Sequence, residues 1–209
     1  KLLNMGFVGI IAACGNYIEM DGKVIYENDL NADMVQKVIR VLSECKMPVV
    51  LEGSTDYWID DEAFENDPYV DYLLESLGEH AHIIRGYDGE IRINKFSADV
   101  IDGTDYERVK AEFADDFLIL EHVENVVEFV PKGTSKATGI KWLCNHLDIP
   151  LDETYAIGDS VNDLEMLESV GHGIAMGNSM PPVKEIAEYV TSDISDDGVK
   201  NALKHYGLI

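Results

Sequence analysis

Positive charge is what this sequence has least of: 16 Lys and Arg stand against 40 Asp and Glu in 209 residues, a formal net charge of −24. Non-specific binding to nucleic acid or to an anionic membrane needs a basic surface, so both partners are argued against. An anionic substrate stays open, because a bound cation reverses the local field. Most of the acids read as a solubilising surface. Cysteine is scarce too. Cys14, Cys45 and Cys144 are dispersed, odd in number and never spaced C-x-x-C. That argues against a disulfide framework or a zinc site and fits thiols in a reducing cytosol. No apolar run reaches the ~18 residues of a membrane span. No basic stretch leads into an apolar one, so no signal peptide is read. The expected location is cytoplasmic.

What is present is a core-forming composition, 46% hydrophobic, arranged in two styles. Val8-Gly9-Ile10-Ile11 reads as a strand, entered from Lys1 to Phe7 as if from the tail of a helix, which looks like the middle of a longer protein. Tyr17–Met20 and Lys23–Tyr26 flank Asp21-Gly22, a strong hairpin signal. Asn31 caps a helix running to Glu44, whose apolar face is Met34, Val35, Val38, Ile39, Val41 and Leu42. Pro48 opens a short apolar run, Val49–Leu51, and the middle third then reads as a helix over 68–77, a period-two strand at Ile91–Phe96, a helix over 105–113, and paired strands at Phe117–Glu121 and Val126–Val130. This is a small α+β unit with an open sheet. From Pro131 the alternation becomes strictly α/β: a helix over 135–147, the strand Tyr155-Ala156-Ile157, a helix from Leu164, the strand Gly173–Met176, a helix over 182–187, the strand Tyr189–Thr191 and a last helix over 198–205. That pattern predicts a Rossmann-like, doubly wound parallel sheet. The expected organisation is a core of 1–30 and 131–209 with a cap domain, 31–130, inserted into it.

The chemistry concentrates in Gly158-Asp159-Ser160-Val161-Asn162-Asp163. This turn joins a strand to a helix, at the carboxyl end of the strand, where α/β sheets place their ligands. Gly158 lets the chain turn without a Cβ clash. Asp and Asn oxygens there suit a hard cation such as Mg²⁺. A plain alternative is a polar turn whose acids cap the next helix. A calcium loop is excluded, since the sixth position is Leu164 rather than Gly. Asp193–Gly198 fails the same test at its twelfth position, Lys204. Lys136 stands at a helix start, where a cation opposes the macrodipole, and that placement points to an anionic partner. The segment around it has no Walker spacing. Asn178, at the end of a strand, by itself reads as a turn residue. His80 and His82 read as solvated rather than as a metal pair.

Taken together, Lys136, then Gly158-Asp159-x-x-Asn162-Asp163-x-x-Met166-Leu167, then Ala175-Met176-Gly177-Asn178 resemble the haloacid dehalogenase superfamily, and within it the Cof-type subgroup with an inserted α/β cap. Asp197-Gly198-Val199 and the hairpin after Gly15 agree. The resemblance covers essentially the whole chain. It implies hydrolysis of a phosphate ester: an Asp nucleophile forms a phosphoaspartate, a second Asp is general acid and base, and Mg²⁺ bridges nucleophile and phosphoryl group. It implies Asp159 as a metal ligand, with Asp163 supporting the metal directly or through water, and open to a second role of holding the lysine. Lys136 neutralises the nucleophile and phosphoryl oxygens. Asn162 and Asn178 orient the phosphate side. Such a transition state needs fixed positive charge and pre-aimed donors.

The chain departs from the family at its first motif. No Asp-x-Asp-x-Thr strand opens it, and the Ser or Thr of the second motif is absent as well. Asp99–Thr104 contains Asp-Gly-Thr with the acids three apart and inside the cap. Val49–Ser54 resembles the second motif but follows the first cap helix. Cys14 stands where relatives usually carry Asn. The expectation is therefore a fragment whose N-terminal strands and nucleophile are missing, inactive alone. Its parent would be a cytosolic Mg²⁺-dependent phosphatase of a small phosphorylated metabolite, a sugar phosphate or similar. The alternative is a non-catalytic module that binds a phosphorylated ligand. Substrate and oligomeric state are not legible.

Overall fold

The computed structural model describes residues 6–60, 68–122 and 125–209, with the backbone alone for 68 and 69. The expected helix tail before Phe7 lies mostly outside them. The chain divides into two compact units, Lys1–Gly22 with Thr134–Ile209, and Lys23–Gly133.

In the first unit, β1 (Gly9–Ala12) pairs antiparallel with β2 (Tyr17–Met20) across a tight turn, Ala13–Gly15. Asp21 and Gly22 follow with φ of 49° and 73°, the left-handed pair that a two-residue hairpin turn requires. The unit's chain resumes at α4 (Lys136–Leu147), begun by a reciprocal cap between Ser135 and Thr138. α4 lies very close to the Ala13–Gly15 turn. A Cβ on Gly139 would sit 2.8 Å from the Gly15 Cα, and one on Gly15 would sit 2.1 Å from the Ser135 carbonyl oxygen. Two glycines thus set where α4, and Lys136 at its first turn, is anchored. Beyond it, β10 (Tyr155–Gly158), β11 (His172–Ala175) and β12 (Tyr189–Val190) form the expected parallel sheet in that order. α5 (Leu164–Ser169) and α6 (Pro181–Ile186) alternate with its strands, and α7 (Gly198–His205) closes the chain. Ala156, Leu167, Ala175 and Val183 make its buried centre.

The second unit begins with β3 (Lys23–Glu27) and α1 (Ala32–Glu44). Asn31 caps α1 as its sequence suggests, accepting from the Met34 N–H at 2.9 Å. Among the described residues a six-stranded mixed sheet follows. It comprises β4 (Val49–Glu52), β5 (Tyr57–Ile59), β6 (Ala81–Ile83), β7 (Lys95–Asp99), β8 (Phe117–Glu121) and β9 (Val126–Pro131), in the order β6-β5-β4-β7-β9-β8. Side chains alternate across it. Val49, Leu51, Phe96, Ala98, Val127 and Phe129 pack with the apolar faces of α1 and α3 (Tyr106–Phe113). Val50 and Ile59 take the other face, with Val70 of α2 (Pro68–Leu77).

Two expectations for this unit are corrected, and two strands are added to it. The strand foreseen at Ile91–Phe96 begins only at Lys95, opposite Glu52. Ile93 and Asn94 are buried, and the Asn94 N–H still donates to the Glu52 carbonyl of β4 at 2.9 Å, but the Ile93 carbonyl accepts from Leu30 N–H at 2.8 Å, and the Asn94 side chain ties to Asn28 and Asp29. The alternation there records burial with a single bond of pairing to β4. β5 and β6, each three residues long, were not foreseen, being too short to show a period. His82 is not solvated: it lies on β6, 2.7 Å from Asp56, and its ring packs with those of Trp58 and Tyr87.

Phe96 is the centre of the second unit's core, fully buried, stacked on Phe129 at 4.5 Å and meeting Phe113 and Phe117 edge-on. Phe96→Ala should cost about 3–5 kcal/mol of unfolding free energy, measured by urea denaturation. A loss under about 1 kcal/mol would show that this cluster is not what holds the unit.

Candidate active site

The carboxyl end of β10 is where Lys136, Asn162 and Asp163 meet. Gly158 is the last residue of the strand, and its conformation is not left-handed. Its lack of a side chain has another cause. A Cβ there would stand 2.7 Å from the Asp163 Cβ and 2.9 Å from its Cγ and Oδ2. The chain then makes a short 3-10 turn, Val161–Asp163, that folds Asp163 back onto the strand end.

Asp163 is buried, its side chain 9% exposed, and both its oxygens are used. Oδ2 accepts from the backbone N–H groups of Asp159 (3.0 Å) and Ser160 (3.2 Å). Oδ1 accepts from Lys136 Nζ at 2.6 Å. Burial pushes this carboxyl's pKa up, but Lys136 and the two backbone donors outweigh it and hold the carboxyl below its usual range. Lys136 also reaches the Asn162 Oδ1 at 3.3 Å, and the Ser160 hydroxyl donates to that same oxygen. Lys136 and the adjacent pair Asn162 and Asp163, far from it in sequence, are thus one hydrogen-bonded group.

Asp159 differs from Asp163. It is exposed, and among the described residues nothing bonds to its carboxylate. Asn178 lies on the neighbouring loop after β11, exposed, with its Oδ1 accepting from the Ile194 N–H at 3.1 Å. No hydrogen bond among the described residues links Asn178 to Lys136 or Asn162. Lys184 escaped the sequence reading. It donates to the Gly177 carbonyl at 2.5 Å and so fixes the base of that loop, a role no motif spacing announces.

The donor set is all oxygen, as Mg²⁺ prefers, and Asp159 is its uncommitted carboxylate. Mg²⁺ keeps several waters and is held through one or two carboxylates plus substrate phosphate oxygens. Among the described residues no group of three or more His, Cys, Asp or Glu converges on a metal position. These residues therefore fit Mg²⁺ only as part of an open site that other ligands would complete, not as a closed cage.

A parallel sheet whose strand end carries an exposed aspartate and a carboxylate-held lysine defines an α/β protein, with these side chains where such sheets place their ligands. A family model described as haloacid dehalogenase-like hydrolase matches residues 2–203, and the chain belongs to that family. The relative "Putative phosphatase YkrA" of Bacillus subtilis (strain 168) is 30% identical over 225 residues, covering 100% of this chain and 79% of its own length. A 5-amino-6-(5-phospho-D-ribitylamino)uracil phosphatase of the same organism, YitU, is 42% identical over 82 residues, 39% of this chain and 30% of its own. Among solved structures, a hypothetical protein of Geobacillus kaustophilus HTA426 superposes with a TM-score of 0.83 at 25% identity, covering 99% of this chain and 79% of that one. No helix among the described residues is long and apolar enough to cross a membrane.

The depressed pKa of Asp163 sets a sign for pH dependence. Its folded value lies below the unfolded one of about 3.9, so its stabilisation is complete above that pH and is lost as pH falls through the folded value. Asp163→Asn should therefore lower the thermal midpoint near pH 6, with the gap to the parent chain narrowing toward about pH 3. A gap that stays constant across that range would contradict this assignment.

Proposed function

We propose that this chain carries the lysine and acidic turn of a Mg²⁺-dependent phosphatase acting on a small phosphorylated metabolite in the cytoplasm, with a cap formed by residues 31–130. The observation that carries the proposal is the 2.6 Å pair between Lys136 and Asp163, beside an exposed and uncommitted Asp159. An ammonium group has three donors. Asp163 and Asn162 take two of the Lys136 donors, leaving one for a phosphoryl oxygen. Asp163 holds the ammonium in place while the backbone N–H groups of Asp159 and Ser160 help to keep its own charge. Such a fixed positive charge costs no reorganisation when negative charge builds at phosphorus. Asn162 and Asn178 are assigned to the phosphate side, Asp159 to the metal, and Asp163 to the metal's support through water. Bound Mg²⁺ would neutralise phosphoryl oxygens and orient the ester for in-line attack. The names of the relatives, all read at family level, support a phosphoric monoester as substrate.

The 209 residues contain no Asp-x-Asp-x-Thr, so the attacking carboxylate is assigned to none of them. The test is hydrolysis of p-nitrophenyl phosphate with and without Mg²⁺, by this chain and by one carrying whatever its reading frame encodes upstream. Turnover is expected only where an Asp-x-Asp-x-Thr strand is supplied. There, Lys136→Met and Asp159→Asn should each lower kcat/KM by about 100-fold or more. Equal, Asp159-dependent turnover by both chains would refute the assignment of the nucleophile. Tight binding of phosphate without hydrolysis by the extended chain would favour a ligand-binding module instead.

A further inference from the structure

We infer that Ser179 is a positioning residue for Asp159, a role that rests on the reading of Asp159 as a metal ligand. The direction of an exposed side chain is set by the two peptide planes that flank its Cα. At Asp159 both planes are held at both ends. In the plane before it, the Asp159 N–H donates to Asp163 Oδ2 (3.0 Å), and the Gly158 carbonyl accepts from the Met176 N–H (3.0 Å) and from the Ser179 hydroxyl (3.2 Å). In the plane after it, the Ser160 N–H donates to the same Asp163 oxygen (3.2 Å), and the Asp159 carbonyl accepts from the Met180 N–H (3.2 Å).

Among the described residues two side chains take part in this clamp. Asp163 supplies the acceptor for both N–H groups, and Ser179 supplies the side-chain donor on the carbonyl side. Ser179 is 6% exposed, although its neighbours Asn178 and Met180 are exposed. A buried hydroxyl without a partner costs about 1–3 kcal/mol, so its bond to the Gly158 carbonyl fixes the loop as well as the carbonyl. The Ser179 hydroxyl therefore joins the Asn178 loop to the strand end that bears Asp159. Groups that orient a metal ligand in this way typically change metal affinity by about 10–100-fold when removed.

Thr191 provides a matched control. Its hydroxyl is also buried and also bonds a glycine carbonyl, that of Gly198 at 2.7 Å, but neither residue is part of the Asp159 clamp. The experiment is a Mg²⁺ titration followed by the backbone amide NMR shifts of Asp159 and Ser160. Ser179→Ala should raise the half-saturating Mg²⁺ concentration by about tenfold in a chain that remains folded. Ser179→Thr should restore most of the affinity. Thr191→Val should lower the thermal midpoint and leave the titration unchanged. A Ser179→Ala titration matching the parent chain would overturn the inference, as would an equal shift in Thr191→Val. Amides that do not respond to Mg²⁺ in the parent chain would overturn the metal assignment itself, a failure distinct from the other two.

Discussion

One buried carboxylate organises the site. Asp163 has two oxygens and divides them: one holds the backbone of the Asp159 turn, the other holds Lys136. Everything else follows from that division. Gly158 has room for no side chain because Asp163 sits against it. α4 must place its first residue within reach of Asp163, and the close approach of Gly139 to Gly15 is what brings it there. Asp159 is left exposed with its carboxylate uncommitted, because the structural role has been taken by its neighbour four residues on. A charge buried this far is costly unless paired and hydrogen-bonded, and here it is both.

Much of this was legible in the sequence, for identifiable reasons. Strongly periodic elements announce themselves: α1 has its Asn31 cap and a wide apolar face, and the β10 to β12 region has regular alternation with helices. The grouping of Lys136 with the 158–163 turn came from a resemblance between motifs, and the structure brings Lys136, Asn162 and Asp163 to one point. The distinct placements of the two acids were less legible. Asp159 and Asp163 look alike in sequence, and only the fold-back of the 3-10 turn makes one a buried anchor and leaves the other facing out.

What escaped the sequence reading has a common physical origin, the dependence of short segments on distant partners. β5 and β6 are three residues each, too brief for periodicity, and they exist because β4 is there to pair with. Ile91–Asn94 alternates like a strand, but the Ile93 carbonyl goes to Leu30 and pairing with β4 reaches back only to the Asn94 N–H on Glu52, so the strand starts later than the alternation. His82 looks like a loop histidine until Asp56, Trp58 and Tyr87, all remote from it or across a turn, are seen around its ring. Lys184 and Ser179 likewise act on carbonyl groups of other segments, and such partners leave no trace in spacing.

The most direct test of this account is a double-mutant cycle on Lys136 and Asp163, with Lys136→Met, Asp163→Asn and the pair compared by chemical denaturation at neutral pH. Residues coupled through one hydrogen-bonded ion pair show interaction energies of about 0.5–3 kcal/mol. A coupling in that range, vanishing when pH falls below the Asp163 pKa, is the predicted result. Additive effects of the two substitutions, with no coupling at any pH, would contradict the claim that this pair organises the site.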